Sequence, residues 1–253
     1  MNPYVKNLNR IEFLITLACT GRCKHCSEGE HTAGGEYING DAAAQVVYEL
    51  CGTFNIESLM TFGGEPLLYP DEVCKIHIAA REMNLPERSL ITNGFFSRDA
   101  KRINETAEKL AESGVSGIML SVDAFHQETI PLEPVKIFAE AVKATGIPIR
   151  THPAWLVDKE DKNPYNQKTL EILKTFEQMD IMSSKGNLIF PSGNALKYLG
   201  EYFDPDKEYI NPYDENPEDI RAICLSPDGS VLGGNIYQSN ILDILEHYSP
   251  EKR

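Results

Sequence analysis

Short apolar runs alternate along this chain with longer amphipathic stretches, and that alternation restricts the fold more than any other feature. Strand, helix and strand in repetition is the pattern of a parallel sheet with helices outside it. The strand-like runs fall at residues 11–17, 58–62, 89–92, 117–122, 147–152 and 187–190, most of them bounded by Gly, Pro, Asn or Asp. Helical patterning occupies 41–54, 70–83, 99–113, 134–144 and 166–179, with Asp, Ser or Pro marking the starts and Gly146 following the fourth. Six parallel strands with helices outside predict an α/β fold of the partial (β/α)6 TIM-like barrel kind, open where an eight-stranded barrel would close. In such sheets the site gathers at the carboxyl ends of the strands. At 253 residues the chain can bury a core of that size without a metal.

After residue 190 the pattern gives way to acidic loops such as Phe203-Asp204-Pro205-Asp206 and Tyr213-Asp214-Glu215-Asn216. The expected organisation is a core domain over 1–195 and a short C-terminal extension over 196–253. The extension should hold a hairpin, 222–225 paired with 230–232 about Ser226-Pro227-Asp228-Gly229, and a short helix near 240–247. A net charge of −14 with scattered basic residues argues against nucleic acid and against an anionic membrane surface as partners. Apolar stretches fall well short of the roughly 20 residues that span a bilayer, and Met1-Asn2-Pro3-Tyr4 has no targeting character, so a cytoplasmic location is expected.

Three of the six cysteines, Cys19, Cys23 and Cys26, lie within eight residues directly after the first strand-like run. Soft thiolates so closely spaced suit iron and sulfide, and a short loop can wrap them around a cluster. Three thiolates on a cluster of four irons leave one iron for a ligand that is not protein. A structural zinc site with His25 or His31 as fourth ligand is the competing reading, although zinc sites more often use paired cysteine units. Cys51, Cys74 and Cys224 show no ligand spacing and read as small hydrophobes, so no second cluster is expected.

Other groups converge on the same rim. Gly63-Gly64-Glu65-Pro66 follows the second run, where two glycines let the backbone approach a ligand or simply make a tight turn. Asn93 follows the third run, and Ser121 and Asp123 end the fourth. Arg150 on the fifth has the planar guanidinium that pairs with carboxylates, or with an acidic surface neighbour. His126, just beyond Asp123, is a candidate general acid or base, the alternative being a structural histidine. Trp155 lines the substrate space or packs in the core.

These motifs, in this order, resemble the radical S-adenosylmethionine (SAM) superfamily over roughly residues 11 to 195. The resemblance implies that Cys19, Cys23 and Cys26 hold a single 4Fe-4S cluster whose open iron is chelated by SAM. It also implies that His25 fills the aromatic position before the third cysteine, and that Gly63, Gly64, Glu65 and Pro66 contact the methionyl amine. Asn93, Ser121, Asp123 and Arg150 match weaker positions for SAM contacts. The chemistry implied is reductive cleavage of SAM to a 5'-deoxyadenosyl radical that takes hydrogen from a substrate, with electrons from a donor such as flavodoxin or ferredoxin. Pro191-Ser192-Gly193-Asn194-Ala195 is similar to a Pro-x-Gly-Arg-Ala element of the family, with Asn194 in place of Arg. Ser226 to Val231 resembles the hairpin of SPASM and twitch extensions without their cluster cysteines, which points to a ribosomally made peptide as substrate, with a small metabolite as the alternative.

Overall fold

The computed structural model describes residues 2–31, 34–209, 211 and 213–252. The alternation takes the predicted form through the fifth strand. β1 (Arg10–Leu14) leads to α1 (Gly40–Thr53), then β2 (Ser58–Phe62), α2 (Pro70–Glu82), β3 (Glu87–Thr92), α3 (Ala100–Ser113) and β4 (Gly117–Leu120). The short α4 (Ala124–Gln127) and α5 (Leu132–Thr145) then precede β5 (Ile149–Thr151). Several helix ends have a local cause. Asn39 accepts from the amides of Asp41 and Ala42 to cap α1, and Gly114 and Gly146 end α3 and α5 at φ of 92° and 83°, where a side chain would be strained. In α1 the buried residues Ala43, Val46, Val47 and Leu50 recur at helical spacing and belong to the same core as Ile11, Phe13 and Leu59 of the sheet.

Two expectations change after β5. The run at 187–190 forms only β7 (Asn187–Leu188), whose partner is β6 (Ala154–Trp155) in a separate two-stranded sheet on either side of α6 (Pro164–Glu177) in the chain. The sixth strand of the main sheet is instead β8 (Ala222–Leu225), parallel to β1, giving the order β5-β4-β3-β2-β1-β8. The reason is the fit of side chains: Ile223 and Leu225 sit in register with Ile11 and Phe13 and are buried with them, whereas both residues of β7 are exposed. The segment after residue 195 thus contributes a strand to the sheet of the preceding residues. The hairpin forms one step later than expected, between β9 (Ser230–Val231) and β10 (Gly234–Asn235), with Leu232 and Gly233 at φ of 47° and 77°. Two consecutive positive φ angles are what a two-residue hairpin turn of the right twist demands. α7 (Gly193–Tyr198) and α8 (Ile241–Glu246) complete the elements used below.

The sheet has two unlike faces. Phe13, Leu59, Leu90, Ile118 and Leu120 pack beneath the helices in one continuous core. The alternate residues, among them Glu12, Leu14, Met60, Phe62, Ile91 and Met119, remain half-buried on the opposite face. Among the described residues no helix is long and apolar enough to cross a membrane.

Candidate functional site

β1 carries its ladder on through Ile15, whose amide donates to Phe62 O at 2.8 Å, and delivers the chain to the cysteine loop at the carboxyl end of the sheet. Cys19 and Cys23 are buried and Cys26 is half-buried. The Arg22 guanidinium braces the loop by donating to the carbonyls of Cys19 at 2.7 Å and Gly21 at 2.6 Å. α7 holds the other end: Asn194 donates from its amide to Cys26 O at 2.9 Å and from Nδ2 to Cys23 O at 3.1 Å. Gly193 makes this approach possible, since a Cβ there would lie 2.3 Å from Ser27 O, and its φ is 49°. Asn194 therefore has a structural task in place of the expected Arg, one that its position in the sequence did not disclose.

The donor set fits an iron–sulfur cluster. Burial, the largest cause, pushes the Cys19 thiol up to about 11, with the Glu65 carboxylate adding to it. Burial likewise raises Cys23 well above the ordinary thiol range, with Asp123, Cys19 and Cys26 contributing, and raises Cys26. Such thiols stay protonated near neutral pH until a positive centre arrives, and coordination then deprotonates them outright. The three are close enough to act on one another's charge, as three ligands of one cluster must be. Cys26 Sγ lies 3.0 Å from His31 Nε2, and His31 Nδ1 donates to Leu17 O at 2.7 Å, which leaves Nε2 to accept from the thiol.

The glycine loop is bound to the cysteine loop backbone to backbone. Gly64 N donates to Thr16 O at 2.7 Å and Glu65 N to Ala18 O at 2.8 Å. No side chain fits in this contact: a Cβ would stand 2.6 Å from Thr16 O at Gly63 and 2.3 Å from Ala18 O at Gly64. Pro66 is buried at the start of the following turn. Glu65 turns its carboxylate inward, accepting from Leu67 N at 2.9 Å, Thr92 Oγ1 at 2.7 Å and Asn93 N at 2.9 Å. Burial pushes its carboxyl up to about 7, against the pull of those three bonds. Asn93 extends the tie, with Nδ2 3.2 Å from Thr20 Oγ1 and 3.6 Å from Cys19 Sγ. Glu65 and Asn93 thus join the carboxyl ends of β2 and β3 to the cysteine loop.

Asp123 is also committed to the protein. Oδ1 accepts from the amides of Phe125 at 2.9 Å and His126 at 3.0 Å, capping α4, while Oδ2 accepts from Ala154 N at 3.0 Å and His126 Nδ1 at 2.9 Å. Burial alone would raise this carboxyl; the His126 ring beside it, with its hydrogen bonds, holds it instead well below the usual carboxylate range. His126 faces the cysteine loop, its ring 4.8 Å from that of His25. His25 packs on Phe125 at 5.0 Å, and Phe125 stacks on Tyr165 at 4.5 Å. Burial drives the His25 imidazole down to about 4.

The half-buried sheet face adjoins this rim. Cys224, Glu12, Met60 and Ser89 form one row in register across β8, β1, β2 and β3, and Ile91, Met119 and Arg150 form another across β3, β4 and β5. Ser121 follows Met119 by two residues and is half-buried; Arg150 is exposed. Glu12 pairs with Arg10 at 2.6 Å, and burial together with the Glu215 charge raises its carboxyl despite that partner. Trp155 is buried, donating from Nε1 to Lys185 O at 2.8 Å, so it packs in the core. Of the expected site residues, the cysteines, His25, Gly63 to Pro66, Asn93, Asp123 and His126 come together at one rim, whereas Ser121 and Arg150 stand on the open face.

Comparison with known proteins places this architecture. Residues 13–193 match the model described as the Radical SAM superfamily. A probable GTP 3',8-cyclase of Saccharolobus islandicus is 31% identical over 291 aligned positions, covering 97% of this chain and 89% of the relative. A probable GTP 3',8-cyclase of Methanocaldococcus jannaschii is 24% identical over 127 residues, where the match spans 50% of this chain and only 40% of the relative. Streptococcus suis SuiB bound to S-adenosylmethionine shares the fold at a TM-score of 0.62 and 12% identity, over 96% of this chain and 66% of SuiB. SuiB is also known bound to the precursor peptide SuiA, where the TM-score is 0.59 with 12% identity over 95% of this chain and 65% of SuiB.

Proposed function

Because the chain belongs to the radical SAM superfamily, and is an enzyme of that class using a 4Fe-4S cluster and SAM, we propose that Cys19, Cys23 and Cys26 hold its cluster and that the neighbouring rim holds SAM. The observation that carries this reading is the backbone union of the cysteine and glycine loops through Gly64 and Glu65. Held by Cys19, Cys23 and Cys26, the cluster would supply the one-electron reduction that splits SAM and so allows hydrogen to be taken from a substrate.

The protein's own part is placement. Gly63 to Pro66 present backbone to the methionyl amine, while the inward Glu65 carboxylate keeps that loop in register with Thr92 and Asn93. Ser121 and Arg150, on the open face beside Met119, are positioned for the ribose and carboxylate of SAM. Asn93 and Gly21 direct hydrogen bonds at the Cys19 sulfur, a means by which a protein sets cluster potential. Holding two reactants in line contributes roughly 7–11 kcal/mol in favourable cases. His126, bonded to Asp123 and facing Cys23 and His25, orders the cluster side of the site rather than the open sheet face. A low-potential donor such as flavodoxin or ferredoxin supplies the electron.

The open face is the substrate space. A triphosphate calls for several converging cations. Here Arg10 is engaged with Glu12, and the charges of Glu215 and Glu28 reach Glu12 and Cys224. That balance favours an uncharged or cationic substrate, with a peptide segment first and a small metabolite second, over the nucleotide in the relatives' names. The test is anaerobic reconstitution with SAM and a strong reductant: release of 5'-deoxyadenosine by the native chain and not by Cys23→Ala is the expected result. No product from either protein would defeat the reading, and tight binding of GTP would defeat the substrate assignment.

A further inference from the structure

Cys23 Sγ and one ring nitrogen each of His25 and His126 lie within 4.8 Å of one another, a grouping that a three-cysteine cluster does not require. The two imidazoles are prepared in different ways. His126 Nδ1 donates to Asp123 Oδ2 at 2.9 Å, so the ring is oriented and its Nε2 lone pair is the one on offer. A carboxylate behind an imidazole in this manner is how metal-binding histidines are commonly held. Asp123 is itself immobilised by the amides of Phe125, His126 and Ala154. His25 Nδ1 is buried with no hydrogen-bond partner, an uncommon state for a buried polar atom.

We propose that the cluster-free chain binds a single divalent transition-metal ion through Cys23 Sγ, His25 and His126 Nε2, with water in the remaining position. Zinc suits this set, being borderline-soft, tetrahedral and content with one thiolate and two imidazoles. Binding releases the Cys23 thiol proton to solvent. Cys23 cannot serve zinc and the cluster together, so each occupant excludes the other. A zinc-loaded chain is therefore arrested before cluster assembly, and the pair His25 and His126 decides how readily that happens. This inference concerns the chain without cluster or SAM and holds whatever the substrate is.

The measurement is zinc binding to reduced, cluster-free protein under anaerobic conditions, in competition with a chromophoric chelator. One equivalent should bind, and cobalt in its place should give thiolate charge-transfer absorption. Cys23→Ala, His25→Ala and His126→Ala should each weaken zinc by about tenfold or more, and Asp123→Asn by about 10- to 100-fold. Cys19→Ser and Cys26→Ser should stay within about threefold of the native chain, which separates this site from zinc held by the cysteine triad. Circular dichroism before and after zinc identifies any variant that has not folded, and His126→Gln then stands in for His126→Ala. Zinc loading should also slow iron and sulfide uptake in the native chain but not in His126→Ala. Loss that follows Cys19 or Cys26 as strongly as Cys23, equal affinity in the native and His126→Ala chains, or cluster assembly indifferent to zinc would each overturn the proposal.

Discussion

Asp123→Asn tests how much of the site's order rests on one buried carboxylate. Asp123 accepts from four N–H groups at 2.9–3.0 Å. An Asn keeps one oxygen, and asparagine caps helices about as well as aspartate, so the amides of Phe125 and His126 can remain satisfied. The new Nδ2 then points at two donors, Ala154 N and His126 Nδ1. The imidazole can escape by moving its proton to Nε2 and accepting from the amide. Ala154 N cannot escape, since a backbone amide has no other tautomer. An orphaned buried donor costs about 1–3 kcal/mol, and the loss of charge-assisted bonding adds roughly 1 kcal/mol, so the substitution should destabilise the cluster-free chain by about 2–4 kcal/mol. Urea unfolding followed by circular dichroism reads this directly. A carboxyl held below its ordinary range stabilises fully above the unfolded value and loses that contribution as pH falls toward the folded one. The gap between native and variant should therefore persist at pH 7 and narrow only below about pH 4. A variant within about 0.5 kcal/mol of native at pH 7, the range of an ordinary surface change, would refute the reasoning.

Gly64→Ala should lower SAM affinity by about tenfold or more in equilibrium binding, because its Cβ would meet Ala18 O at 2.3 Å and force the two loops apart by roughly 1 Å; unchanged affinity would show that the loop union is dispensable. Reconstituted native protein should carry about four irons, while Asn194→Leu, which loses the side-chain bond to Cys23 O and keeps only the backbone bond to Cys26 O, should carry fewer; about eight irons in the native chain would reveal a second cluster. His77 is buried against Thr61, and burial, with the Arg88 charge, drives its imidazole down to about 3. Folding keeps it neutral, so stability is lost as pH falls below about 6.5, by roughly 1.4 kcal/mol per unit, and His77→Gln should flatten the pH dependence of the urea midpoint; parallel profiles would contradict this.

The five sheet strands through residue 151 and the long helices α1, α2, α3 and α5 between them were legible because burial on one face and helical periodicity are local properties, whereas the four-residue α4 was not. β8 was not, since Ala-Ile-Cys-Leu before a Pro-Asp-Gly turn reads as a hairpin arm, and only the register with Ile11 and Phe13 decides its partner. At the site, residue types were readable and side-chain directions were not. Cys19, Cys23, Cys26, Gly63 and Gly64 announce themselves by spacing and by the absence of a Cβ. Glu65 and Asp123 read as ligand-facing carboxylates, yet donors from distant segments, Asn93 and Ala154 among them, turn both inward. The nearness of His25, His126 and Cys23 likewise arises from tertiary packing that no linear spacing encodes.

The place of β8 beside β1 also orders events during synthesis. Ile11 pairs with Ile223, 212 positions later, so the strand that leads into the cysteine loop lacks its outer neighbour until nearly all the sheet has been translated. Contacts this distant in sequence close late and slowly. The cysteines are made among the first residues of the chain, but the sheet edge that steadies them is among the last pieces to arrive. A ribosome-bound fragment ending before Ala222 would carry all three proposed ligands without the completed sheet beneath them, so insertion of a cluster at that stage would meet an unfinished scaffold.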